Sequence, residues 1–307
     1  MGPFPMAGRN PKKNEDEARQ LSIHNYVRVI LARIAAARAL WRSARSPRAK
    51  ALLIRYALLL LLHDAPALRG ALPSQTWVEL ASLRFCVSPG QRELNGFFDV
   101  WLRHSYEAVD EFRCQQNWFV VDLGANVGFF AIREAMLGGR VLAVEPNPSA
   151  ARRMLQTIEA NAFGEQVRVR ILAVGRTRGE GVLSVGGSSI NARVTPAHRD
   201  DDDRANAVAI DTLDYLLRDR LEAVDLLKID TEGGEFDILV GAPEVLTRTN
   251  RVVLEYHSRL LREKCIEHLS VAGMPLVLEH GTILYFARPG SIVSPSVLSS
   301  DVTSGTA

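Results

Sequence analysis

The chain has 307 residues, 47% of them hydrophobic and 23% charged, with a formal net charge of +2. This composition excludes wholesale disorder, a collagen-like repeat and a disulfide-stapled miniprotein, and the length allows one large domain or two small ones. The near-neutral total hides an asymmetry, because residues 1–70 hold 13 Lys and Arg against 4 Asp and Glu, leaving 24 against 31 for the acidic remainder.

Residues 1–20 are polar, rich in Pro, Gly and charge, and lack the apolar stretch of a secretory signal, so a disordered leader is expected there. From Ile23 to Leu62 the pattern is helical, with Tyr26, Ile30 and Ile34 near helical spacing and Arg28, Arg33, Arg38, Arg42 and Arg45 between them. Ser46-Pro47 divides this stretch into two helices. Its longest apolar run, Tyr56 to Leu62, is far shorter than the roughly 20 residues of a membrane span. A basic helical extension over 21–80 that packs its apolar face on the body is favoured over an amphipathic surface for an anionic membrane or an acidic partner. Cys86, Cys114 and Cys265 form no C-x-x-C pair and suit a reducing cytoplasm, so a cytoplasmic protein, membrane-peripheral at most, is expected.

A strand is predicted at Leu83–Val87, a turn at Ser88-Pro89-Gly90 and a helix from Leu94 to Phe112. Apolar runs then alternate with helical stretches: Trp118 to Leu123, Val141 to Val144, Val167 to Val174, Leu226 to Ile229 and Val252 to Tyr256. That alternation predicts an α/β domain over 81–290, Rossmann-like and doubly wound, with a largely parallel sheet. Pro275–Glu279 and Thr282–Ala287 flank His280-Gly281 as a closing hairpin, and 291–307, rich in Ser and Thr, is expected to be a disordered tail.

The most informative stretch is the turn after the first long strand, Val121-Asp122-Leu123-Gly124-Ala125-Asn126-Val127-Gly128. Glycines at such a turn let backbone approach a ligand at the carboxyl edge of the sheet. Neither G-x-G-x-x-G nor a P-loop is present, and a carboxylate at Asp122 would repel a phosphate but suit a ligand carrying an ammonium group. S-adenosylmethionine has that group and a sulfonium. Glu145, 23 residues after Asp122, ends the next strand, where an acidic side chain can accept both hydroxyls of a ribose. Asp122, Gly124, Ala125, Asn126, Gly128 and Glu145 are therefore the expected cofactor-binding residues.

These segments, with Leu227-Lys228-Ile229-Asp230-Thr231-Glu232-Gly233-Gly234-Glu235, Val144-Glu145-Pro146, Asp211-Thr212-Leu213-Asp214 and Glu255-Tyr256-His257, resemble class I S-adenosylmethionine-dependent methyltransferases, and more narrowly the FkbM family. The resemblance covers about Leu83 to Arg288. It implies a seven-stranded sheet with an antiparallel last strand, and methylation of hydroxyl groups on sugars or natural products. The run Ala173-Val174-Gly175-Arg176 departs from the family pattern, so no adenine-contacting side chain is assigned.

Methyl transfer to oxygen needs an aligned acceptor and a group to take its proton. Asp230 is the first candidate for that work, His257 the second, and Glu232 a third group in the catalytic set. Lys228 and Glu235 are read as structural charges that order the loop or cap the next helix. Asp230-x-Glu232 comes with no further clear ligand, so a metal finds no support in the sequence and no metal-binding residue is assigned. The amino-methyltransferase motif Asn/Asp-Pro-Pro-aromatic is absent and the body is acidic, which argues against nucleic acid. The expected partner is a small-molecule or carbohydrate acceptor. A non-catalytic scaffold using the basic arm and an NAD-dependent oxidoreductase are the rival readings.

Overall fold

The computed structural model describes residues 35, 37–63, 73–89, 93–185, 192–196 and 206–291. The expected leader, the tail beyond Ser291 and the acidic stretch Asp200 to Asp203 lie outside those residues. Residues 37–43 are helical, and after a break α1 runs Pro47–His63. Ser46 Oγ accepts the Ala49 N–H at 3.0 Å with Pro47 at the first helical position, so the Ser-Pro pair both ends one helix and starts the next. Among the described residues no helix is long and apolar enough to cross a membrane.

The extension is not a separate body. A hairpin of β1 (Thr76–Leu80) and β2 (Leu83–Val87) straddles the expected boundary at residue 80, and Ala81 N–H donates to Ser43 O at 3.0 Å. Ala44, Ala49, Leu53 and Tyr56 are buried in the same core as the hairpin and the main sheet. The sequence missed β1 because it is only five residues long and carries a polar Glu79. The helix expected over Leu94–Phe112 is shorter: α2 (Leu94–Phe97) continues as a π-helical turn through Leu102, and the chain then runs irregularly to a 3-10 turn at Asp110–Phe112. Trp101 stacks on Phe97, with ring centres 5.6 Å apart, and donates Nε1–H to Phe129 O at 3.0 Å, so packing rather than helical periodicity sets this segment.

The main elements follow as β3 (Phe119–Leu123), α3 (Phe129–Met136), β4 (Arg140–Val144), α4 (Pro148–Ala160), β5 (Val167–Arg170), β6 (Ala173–Val174), β7 (Gly179–Val185), β8 (Ala192–Pro196), β9 (Ala207–Asp211), α5 (Leu213–Leu216), β10 (Leu226–Ile229), α6 (Glu235–Val240), α7 (Pro243–Thr247), β11 (Arg251–Glu255), α8 (Arg259–Val271), β12 (Leu276–His280) and β13 (Ile283–Ala287). The seven-stranded sheet has the order β12-β13-β11-β10-β3-β4-β5. It is parallel from β11 to β5, with β13 antiparallel to both its neighbours, as the resemblance implied. The predicted strand Val167 to Val174 divides in two, because β6 leaves the main sheet to join β9, β7 and β8 in a four-stranded sheet. α3 is buried on every residue from Phe129 to Ala135, held between the sheet and an aromatic cluster of Phe85, Phe97 and Trp101.

Candidate active site

The carboxyl ends of β4, β3, β10 and β11 stand side by side, and a cavity of about 610 Å³ runs along them from Glu145 and Pro146 through Gly124 and Asp230 to Glu255 and His257. Strand order reverses between β3 and β10, the position at which open α/β sheets leave room for ligands. The volume is that of a small-molecule site.

At one end, the turn after β3 is shaped by packing. Gly124 has φ +78°, and a Cβ there would lie 1.7 Å from the Asp230 carbonyl oxygen, so only glycine lets β3 exit this close to β10. A Cβ on Gly128, at φ +86°, would lie 2.7 Å from Met154 Cγ. The Gly124 and Ala125 N–H groups both donate to Val144 O at 3.0 Å, tying the turn to β4. Glu145 accepts Asn126 N–H at 2.8 Å on one oxygen and Asn147 N–H at 2.8 Å on the other. Burial pushes its carboxyl up to about 7 against those two hydrogen bonds. Asn126 sits at φ +50°, and its buried Oδ1 has no hydrogen-bond partner among the described residues, which leaves an orphaned acceptor on the cavity wall. Leu172, Ala173 and Val174 form an apolar wall at the same end.

Asp122 stands apart from this set. Its side chain is fully buried and does not line the cavity, and Lys228 Nζ lies 3.2 Å from its Oδ1. The expected ammonium partner of Asp122 is thus supplied from within the chain. Lys228 pairs with Asp122 in the β10–β3 register, and strand alternation puts Lys228 and Asp230 on one face. Nζ is also 3.5 Å from Asp230 Oδ2 and donates to Gly124 O at 3.1 Å. Burial disfavours the ammonium, but Asp122 and Asp230 outweigh it and hold its pKa above the ordinary lysine value. Reading Lys228 as a loop charge missed this; a lysine inside an apolar strand, in register with an aspartate, was the available signal.

At the other end, Asp230, Glu232 and His257 come together. His257 Nε2 lies 3.4 Å from Glu232 Oε2 and 3.8 Å from Asp230 Oδ1, while Nδ1 meets Glu235 Oε1 at 2.9 Å. Burial disfavours the charged ring, but the hydrogen bonds to Glu232 and Glu235 raise its pKa to about 10. An imidazole that holds its proton at neutral pH is no general base, which counts against that role for His257. Glu235 is fully buried and accepts Gly233 N–H at 2.8 Å on the same oxygen, so it does order the loop, and its charged partner is His257 rather than Lys228. Glu232, at φ +57°, is carried by that loop.

Tyr106 and Glu255 also belong here, and sequence reasoning gave neither a role. Tyr106 Oη lies 3.0 Å from Asp230 Oδ2 and 2.9 Å from Glu255 Oε2. Burial, and after it the Asp230 charge, hold the Glu255 carboxyl above its ordinary value, against the hydrogen bonds from Tyr106 and Thr282. Tyr106 lies in the irregular stretch after the π-helical turn, which carries no periodic signal; Glu255 was visible only as part of Glu255-Tyr256-His257.

Residues 122–284 match the family described as methyltransferase FkbM domain. A curated relative is the AMB antimetabolite synthetase AmbE of Pseudomonas aeruginosa, 26% identical over 182 residues. That match covers 46% of this chain and 8% of the synthetase, so the chain spans a small part of that relative. Solved structures with related folds include TYW2 of M. jannaschii in complex with AdoMet, at TM-score 0.38 and 16% identity, covering 70% of this chain and 87% of that one. Another is the magnesium protoporphyrin IX methyltransferase of Synechocystis PCC 6803 with bound SAM, at TM-score 0.37 and 12% identity, covering 64% and 79%.

Proposed function

The chain belongs to the FkbM methyltransferase family, and from that premise we propose that this S-adenosylmethionine-dependent methyltransferase acts on a hydroxyl group of a sugar or natural product. The observation that carries the reading is Asp230. It sits at the strand end beside Gly124, its Oδ2 is clamped by Tyr106 and Lys228, and its Oδ1 points toward the half of the cavity lined by Glu232, Glu255 and His257.

The donor end of the cavity fits S-adenosylmethionine. Glu145 would take the ribose hydroxyls on lone pairs its two backbone contacts leave unused, Asn126 Oδ1 would accept a donor hydrogen, and Leu172 to Val174 would cover the base. When bound, the cofactor supplies an electrophilic methyl group on a sulfonium. The chain's own work is to hold an acceptor hydroxyl in line and to receive its proton. Asp230 Oδ1 is the receiving atom, and the clamp on Oδ2 fixes its direction. With no ion between them, the charged His257 steadies Glu232 and Asp230, which makes it a positioning residue. The three cysteines are buried and free, in keeping with a reducing cytoplasm.

The test is Asp230→Asn assayed against a panel of hydroxylated acceptors, following S-adenosylhomocysteine release. Turnover should drop about 10²–10⁴-fold while calorimetry shows the donor still bound; turnover near that of the unaltered chain removes Asp230 from the chemistry.

A further inference from the structure

The acceptor end holds more ligating power than a single proton transfer uses. Asp230, Glu232 and His257 each offer one ligand atom, and those atoms all lie within 4.8 Å of one another. An ion with bonds of about 2.1 Å sets adjacent ligand atoms of an octahedron ~3.0 Å apart and opposite ones ~4.2 Å apart. The separations of 3.4 Å and 3.8 Å from His257 Nε2 to the two carboxylates need a contraction of less than about 1 Å to reach that geometry.

The surroundings have the form of a metal-binding histidine. Nδ1 is engaged by the buried carboxylate of Glu235 at 2.9 Å, which sets the hydrogen on Nδ1 and directs Nε2 toward the two acidic residues. Glu235 is itself fixed by the Gly233 N–H. Asp230 Oδ2 is held by Tyr106 on the opposite side, so Oδ1 is the oxygen left facing His257. All three side chains line the cavity, so the remaining coordination positions open toward the acceptor. Sequence spacing could not show this, because Asp230 and Glu232 follow β10 whereas His257 follows β11.

We propose that Asp230, Glu232 and His257 bind one divalent cation, with Glu235 as the outer partner that orients His257. One imidazole and two carboxylates suit a first-row divalent ion such as manganese(II) better than calcium, which takes six to eight oxygens. The site's role, though not its affinity for the ion, rests on the hydroxyl-acceptor reading. A hydroxyl on an open position of the ion is made more acidic: its proton passes to solvent, the oxygen bonds to the methyl carbon of the donor, and that carbon's bond to sulfur breaks, the electron pair leaving with the neutral thioether.

The experiment uses the full chain, stripped with EDTA and dialysed, then titrated with manganese(II) while electron paramagnetic resonance follows the free hydrated ion. Saturable uptake of one ion per chain is expected, with a nitrogen coupling in the echo-modulation spectrum of the bound ion. Glu232→Gln and His257→Asn should each weaken uptake at least tenfold, and His257→Asn should abolish the nitrogen coupling, in samples whose circular dichroism matches the unaltered chain. Asp237→Asn, an exposed ion-pair partner of Arg176 at the cavity rim, should leave uptake unchanged. Absence of uptake, or uptake indifferent to both substitutions, overturns the proposal. Calorimetry with S-adenosylmethionine on the same samples separates the two readings: loss of donor binding there tells against the methyl-transfer premise without touching the manganese result.

Discussion

Lys228 shows how one buried charge joins structure to chemistry. Its ammonium neutralises Asp122 behind the sheet edge and touches Asp230 in front of it, with the Tyr106 ring centre 5.4 Å away. Removing one member of a buried pair leaves the other uncompensated, so Lys228→Met should cost about 3–5 kcal/mol. The Lys228→Met/Asp122→Asn double variant should recover part of that in urea denaturation, and additive losses would show that the two do not act as a pair. Glu145 makes a prediction of a different kind. With its pKa raised to about 7 and its charged form the better acceptor of ribose hydroxyls, donor affinity should weaken about tenfold from pH 8 to pH 6. Glu145→Gln should bind more weakly at pH 8 and lose the slope, as read by calorimetry across that range.

Among the elements, the segment from α2 through Phe112 does the most with the least regularity. Trp101 stacks on Phe97, donates to the first carbonyl of α3 and closes the aromatic cluster over that helix. Trp101→Ala should cost about 3–5 kcal/mol by denaturant titration and should lower acceptor-side function more than donor binding, because Tyr106 follows four residues after the π-helical turn. β3, β4 and β11 were legible in the sequence because each centres on an apolar run closed by glycine or a charge, whereas β5 alternates Val with Arg; the Asp122 to Gly128 turn was legible because few backbones need glycine at both positions. Tyr106 was not legible: nothing in its neighbours' periodicity says that a tyrosine will cross to Asp230. The metal-competent cluster was hidden for a related reason, since β10 and β11 meet only once the sheet has formed. Asp122 illustrates a third limit, in which the residue type was read correctly as an acid awaiting a cation but the cation turned out to be Lys228.

At the scale of the whole molecule, buried acids set the response to pH. Glu134 on α3 is fully buried, and burial, aided by Glu107 and opposed by Arg133, pushes its carboxyl up to about 8. A folded-state pKa above the unfolded value means that the native state holds the proton more tightly. Its contribution is therefore complete below about pH 4.5 and is lost as pH rises through about 8. Thermal or urea unfolding should show stability falling across that window, by on the order of 5 kcal/mol from this group. Glu134→Gln should flatten the decline, and an unchanged profile would assign it to other groups. The opening charge asymmetry also takes a physical form: the described part of the basic arm, residues 37–63, is bound into the fold through α1 and the β1–β2 hairpin, while the acidic body concentrates carboxylates along one sheet edge.

The cavity along that edge is assembled from two sources of different origin in the chain. Its donor half comes from Gly124 to Pro146, within the region shared with the family, whereas Asp99 and Tyr106 enter from upstream of residue 122, where the family match begins. The wall that these two residues build thus lies outside the stretch the family match covers, while Asp230, Glu232, Glu255 and His257 on the same cavity lie inside it. Exchanging Asn95–Phe112 for another segment would reshape that wall alone and leave the turn after β3 and the acidic residues in place.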